Sequence, residues 1–81
     1  MLDLRREVRT PVNLRGLIKY GAAGLTLPCT VTDLTRSGAG LSLGRTFGVP
    51  QVFRLAVDGE SADRYCRVVW TEGKKLGVAF Q

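Results

Sequence analysis

Val12-Asn13-Leu14-Arg15-Gly16-Leu17-Ile18-Lys19-Tyr20 alternates almost without interruption. Val12, Leu14, Gly16, Ile18 and Tyr20 fall on one side, and Asn13, Arg15, Leu17 and Lys19 on the other, with Leu17 the single breach. Successive residues of an extended chain point to opposite faces, so this period of two predicts a strand of about nine residues with one polar face. Upstream, Pro11 fixes its own φ and pushes Thr10 toward an extended conformation, which marks where regular structure begins. Downstream, Gly21-Ala22-Ala23-Gly24 reads as a turn. A second strand follows from Leu25 to Thr32, with Leu25, Leu27, Cys29 and Val31 on its apolar face and Thr26, Thr30 and Thr32 opposite. Threonine on the outer side suits a half-solvated sheet. Pro28, inside this run, lacks an N–H for the ladder and predicts an edge position or a bulge.

The pattern continues to the end of the chain. Ala39 to Leu43 is a short third strand, and Gly44 to Gln51, with Gly44, Gly48 and Pro50, is a loop. Val52 to Val57 is a fourth strand closed by the hairpin signal Asp58-Gly59. Arg64 to Thr71 is a fifth, in which Cys66, Val68 and Trp70 alternate with Tyr65, Arg67 and Val69. Glu72-Gly73-Lys74 turns the chain into a sixth, Leu76 to Phe80. No stretch carries a helical period. Six short strands at intervals of roughly 8 to 13 residues, separated by glycine-bearing turns, predict an all-β fold with little or no helix. In so short a chain they close most easily as a small six-stranded antiparallel β-barrel, which also removes exposed edges. Residues 1–81 make up a single domain, in which residues 11–81 form the barrel and residues 1–10 a flexible basic N-terminal arm.

Size and composition narrow the function. An 81-residue domain buries only about 60 to 65% of its unfolded surface and has no room for a deep enclosed active site. The chain has no histidine, which removes the commonest general base, and its two cysteines, Cys29 and Cys66, lie far apart in apolar runs. Zinc binding and nucleophilic catalysis both lack their residues, and the thiols read as buried and reduced. We therefore expect a protein that is not an enzyme and carries no cofactor or metal. No apolar run reaches the roughly 18 residues of a membrane span, and Met1-Leu2-Asp3-Leu4-Arg5-Arg6 lacks the apolar core of a secretory signal, so a cytoplasmic location is expected. The net charge of +5 calls for an anionic partner. Lys74 and Lys75, on a hairpin turn, read as solubilising, and Trp70 and Phe80 as core rather than as a ligand platform.

Two polar features stand apart from the strands. One is the cluster Arg5, Arg6 and Arg9. The other is Asp33-Leu34-Thr35-Arg36-Ser37-Gly38-Ala39-Gly40, between the second and third strands. Asp33 and Thr35 are two apart and share a face if the segment is extended. Gly38 and Gly40 permit either positive φ or close approach. A guanidinium offers a planar fork of donors to phosphate oxygens and to the O6/N7 edge of guanine. A carboxylate complements the opposite guanine edge, where N1–H and N2–H₂ donate. Together the two features describe a site for guanine joined to phosphate.

These residues resemble a known family. Arg5-Arg6-Glu7-Val8-Arg9 is similar to the RxxxR motif, and Asp33-Leu34-Thr35-Arg36-Ser37-Gly38 to the (D/N)xSxxG motif, of the PilZ domain, a bacterial receptor for the second messenger cyclic di-GMP. Val68-Val69-Trp70 followed by Leu76-Gly77-Val78-Ala79-Phe80 resembles the family's closing hairpin. Twenty-three residues separate Arg9 from Asp33, the length of one barrel hairpin. The resemblance implies a PilZ-like split barrel that binds cyclic di-GMP. Arg5 and Arg9 would grip its phosphates and guanine edges, Arg6 would add a stacking or phosphate contact, Asp33 and Thr35 would hydrogen-bond a guanine, and Gly38 would allow close backbone approach. It also implies a protein partner or fused effector domain that responds when the ligand orders the arginine arm. Thr35 stands where the family usually has serine; its hydroxyl is kept, and its methyl adds bulk that weakens binding. Two other readings of the same features are a PilZ-like interaction module without nucleotide binding and a basic barrel that binds RNA or single-stranded DNA, without sequence-specific recognition of nucleic acid being expected.

Overall fold

The computed structural model describes residues 10–46 and 48–81. Among them are six strands and no helix: β1 (Thr10–Tyr20), β2 (Leu25–Leu34), β3 (Gly38–Ser42), β4 (Val52–Val57), β5 (Arg64–Glu72) and β6 (Lys75–Phe80). They close into an antiparallel barrel in the order β1-β2-β3-β6-β5-β4, with β4 returning to β1 through Gly16 to Lys19. All six lie within one or two residues of where alternation and turn residues placed them. Among the described residues no helix is long and apolar enough to cross a membrane.

Alternation builds the core. Ile18, Val31, Leu41, Leu55, Cys66 and Leu76 point inward from six different strands and are essentially sealed from solvent. Burial of each aliphatic side chain is worth about 1.5 to 3 kcal/mol, and this is the main force closing the barrel. Among the described residues no polar or charged side chain is buried. Gly16 faces inward as well, and a Cβ there would press on the Cys29 sulfur at 2.9 Å and on Val31 at 3.1 Å. Cys29 and Cys66 are free thiols in this interior, and desolvation pushes both from 9.0 to about 11.

Pro28 lies opposite Leu17 of β1, whereas pairing of β2 with β3 begins only at Thr30. It therefore occupies a stretch of β2 with a neighbour on one side, the edge position its missing N–H requires. The Asp58-Gly59 signal marks a hairpin whose loop is longer than two residues. It runs from Asp58 to Asp63, held by the Asp58 N–H on the Arg15 carbonyl at 2.9 Å and by the Lys19–Asp63 ion pair at 3.1 Å.

Candidate functional site

Two bulges decide which side chains reach the outside. The β2–β3 register slips between Val31 and Asp33, leaving Thr32 as the extra residue. Strict alternation would carry Asp33 inward with Cys29 and Val31. The slip turns it outward instead and returns Leu34 to the core. The β5–β6 register slips likewise between Val68 and Trp70. Val68 packs on the core, Val69 is the extra residue, and Trp70, which alternation would send inward, emerges on the surface with 42% of its area exposed. This corrects the expectation that Trp70 is a core residue. Phe80, by contrast, is half-buried against the core, with the Arg64 guanidinium 4.6 Å above its ring.

The two residues turned outward lie on one row. Asp33 pairs with Gly40, Gly40 with Gly77, and Gly77 with Trp70, so the row crosses β2, β3, β6 and β5. Three strand spacings separate its ends, about 14 Å. The two middle residues have no side chains because their neighbours occupy that space. A Cβ on Gly40 would collide with the Asp33 carboxylate, and one on Gly77 would collide with the Trp70 indole. Carboxylate and indole thus lean toward each other from opposite rims, above two directly opposed residues whose Cα atoms are about 5 Å apart. Neither glycine has positive φ; the requirement is room.

The turn between β2 and β3 closes one end of the groove. The Thr35 hydroxyl oxygen accepts from the Gly38 N–H at 2.9 Å and the Ser37 N–H at 3.2 Å, and its proton points to the Gly38 carbonyl at 3.3 Å. The Thr35 N–H donates to the same carbonyl at 2.9 Å. The Thr35 hydroxyl thus helps to hold this turn, as hydroxyls do in short polar turns. β6 fastens it from the other side: the Phe80 N–H donates to the Ser37 carbonyl at 2.6 Å. Gly38 is packed so closely that a Cβ would run into the Val78 carbonyl oxygen. The Asp33 carboxylate receives the Thr32 hydroxyl at 3.4 Å.

The result is an open groove of about 220 Å³ with Asp33, Thr35, Gly38, Val69, Trp70 and Gly77 among its lining residues. Of the residues singled out in the sequence, Asp33, Thr35 and Gly38 are brought together here, and Arg5, Arg6 and Arg9 lie outside the described residues. Pro11 pairs with Asp33, so the chain joins β1 beside the carboxylate. Val69, Trp70 and Gly77 are additions from the structure. The signal was three consecutive apolar residues, Val68-Val69-Trp70, which break the period of two as a bulged strand does. A larger groove of about 690 Å³ lies elsewhere, between Arg15, Leu17, Pro28 and Ala56, and contains none of the motif residues. Among the described residues no cluster of histidine, cysteine or carboxylate side chains is placed to hold a metal ion.

Comparison with curated proteins finds no match. The family model of the PilZ domain matches residues 3–81, from the basic N-terminal segment through the last strand. With both motifs in order and a closed six-stranded barrel between and around them, the chain belongs to the PilZ domain family.

Proposed function

We propose that the Asp33–Trp70 groove binds cyclic di-GMP, and that the protein acts as a receptor rather than as a catalyst, in keeping with its family. The observation that carries this reading is the row Asp33–Gly40–Gly77–Trp70. It presents an acceptor for the N1–H and N2–H₂ edge of guanine on one rim and a flat ring for a purine face on the other. Stacking of a base on such a ring is worth about 1 to 3 kcal/mol. Thr35 already uses its hydroxyl fully, with two N–H donors accepted and one proton donated, so its part is to set the turn that presents Asp33 and Gly38. Arg5, Arg6 and Arg9 supply the charge for the phosphates. Since β1 starts beside Asp33, residues just ahead of it need to travel only a short distance to reach a ligand there. Binding then draws the arginines onto the barrel rim and offers a changed surface to a partner, a transition seen as new amide-exchange protection in residues 5 to 10.

Calorimetric titration of cyclic di-GMP, with GTP and cyclic di-AMP as controls, tests the reading. Micromolar binding of cyclic di-GMP alone supports it, and the stoichiometry tells one nucleotide from a stacked pair. Asp33→Ala should lower affinity by about 1.5 to 3 kcal/mol, roughly 10- to 150-fold, and relax the preference for guanine over adenine. An Asp33→Ala protein that still rejected cyclic di-AMP would sink that role. Absence of any cyclic di-GMP binding would move the reading to a PilZ-fold interaction module.

A further inference from the structure

Five large apolar side chains are exposed among the described residues, and four of them, Val52, Tyr65, Val69 and Trp70, lie on β4 and β5. Trp70 belongs to the groove already described. The other three are more than half exposed, at 54%, 63% and 64%. They share the outward face with two arginines in a checkerboard set by the register: Val52 opposite Arg67, and Arg54 opposite Tyr65. Neither guanidinium has a carboxylate within reach among the described residues. The contrast with their neighbours is sharp, because Lys19, opposite Arg54, is paired with Asp63, and Arg64 with Glu60 at 2.9 Å.

We propose that this face of β4 and β5 docks an acidic protein segment carrying tyrosine or another aromatic residue. Three features select that partner. Two unpaired arginines at fixed positions on a rigid sheet offer bidentate sites for carboxylates. Tyrosine and arginine beside aliphatic side chains make the composition of a protein-binding hot spot. A nucleic-acid strand is disfavoured because it needs successive rings for successive bases, and among the described residues Tyr65 is the one ring on this face outside the groove. Val69 belongs both to this face and to the groove wall, so the docking surface runs up to the edge of the groove. The inference concerns a different surface and stands whether or not the groove takes a nucleotide.

The test uses the isotope-labelled 81-residue chain titrated with a poly(Glu,Tyr) copolymer, followed by amide chemical shifts, with polyglutamate and oligouridylate as comparison probes. Shifts confined to Val52–Ala56 and Tyr65–Val69 are expected, with tighter binding of the tyrosine copolymer than of polyglutamate. Arg54→Glu with Arg67→Glu should weaken that binding roughly tenfold or more. Tyr65→Ala should abolish the preference for the tyrosine copolymer. Both variants alter only exposed side chains, and far-ultraviolet dichroism verifies that they fold. The proposal is overturned by shifts centred on Lys74 and Lys75, by no binding at all, or by oligouridylate occupying the same face more tightly than the copolymer.

Discussion

Gly77→Ala isolates the role of the groove's aromatic wall. An added Cβ would stand 2.5 Å from Trp70 Cε2 and 2.9 Å from Cζ2, and would overlap the indole nitrogen. Ordinary carbon contacts lie near 3.5 to 4.0 Å, so the ring has to lift by about 1 to 1.5 Å or swing away. It can do so, because one face of Trp70 is open to solvent and the obstacle is a side chain rather than backbone. Loss of the contact under the ring costs about 1 kcal/mol, which the reduced chain entropy of alanine relative to glycine largely offsets. Stability to denaturant should therefore stay within about 1 kcal/mol of the parent. The emission of Trp70, the only tryptophan, should shift red as the ring becomes more hydrated.

If a guanine stacks on Trp70, displacement of the ring removes about 1 to 3 kcal/mol of binding, or roughly 5- to 150-fold in affinity by calorimetry. Trp70→Ala should cost a similar amount. The two changes act on one contact, so the double variant should be no weaker than Trp70→Ala alone. Additive losses would mean that Gly77 acts by some route other than holding the indole. Unchanged affinity in Gly77→Ala, with the emission shifted, would remove Trp70 from the ligand contacts.

Three further substitutions or conditions probe the frame around the groove. Gly38→Ala meets the Val78 carbonyl oxygen, which cannot retreat without breaking the β3–β6 register, and should cost at least about 3 kcal/mol by chemical denaturation, in contrast to the mild Gly77→Ala. Thr35→Val leaves the Ser37 and Gly38 N–H groups without their acceptor and should cost about 1 to 2 kcal/mol, whereas Thr35→Ser, which keeps the hydroxyl, should stay within about 0.5 kcal/mol. The buried thiols give an alkaline limit. With both raised from 9.0 to about 11 in the folded chain, the unfolded chain releases these protons first, so stability is untouched below pH 9.0 and falls as pH rises toward about 11. The slope is up to about 1.4 kcal/mol per pH unit for each thiol, and melts of a Cys29→Ala/Cys66→Ala variant should lose that component of the decline.

The fold was legible because its driving force is local and periodic. Ile18, Val31, Leu55 and Leu76 each sit in a run where every second residue is apolar, and burying that face leaves one way to orient the strand. Closure into a barrel followed from strand number and chain length. The order β1-β2-β3-β6-β5-β4 was not legible, because it depends on which edges meet across the barrel and no single run records that. Half of the groove was visible for a chemical reason: Asp33, Thr35 and Gly38 are a carboxylate, a hydroxyl and a glycine in a turn. Trp70 was misplaced because alternation was extended through Val69, and one inserted residue reverses the face of everything that follows it.

That reversal also explains why a site can exist on so small a barrel. Among the described residues twelve buried hydrophobic side chains fill the interior, which leaves no room there for a ligand and puts a recognition surface on the outside. An outer face built by strict alternation displays whatever the solvent side tolerates, here threonine, lysine and arginine beside scattered apolar side chains such as Val52 and Tyr65. A bulge exchanges the faces at one point at little cost to the core, since Leu34 resumes the inward position as Asp33 leaves it. The chain makes this exchange on β2, where it delivers a carboxylate, and again on β5, where it delivers an indole. Both land on the register row whose other two members are glycines. Without the bulge on β2, Asp33 would be driven into an apolar core, an arrangement that costs several kcal/mol for an unpaired charge. The irregular residues are thus the ones that place a carboxylate and an indole across one external groove, the surface proposed to hold the ligand.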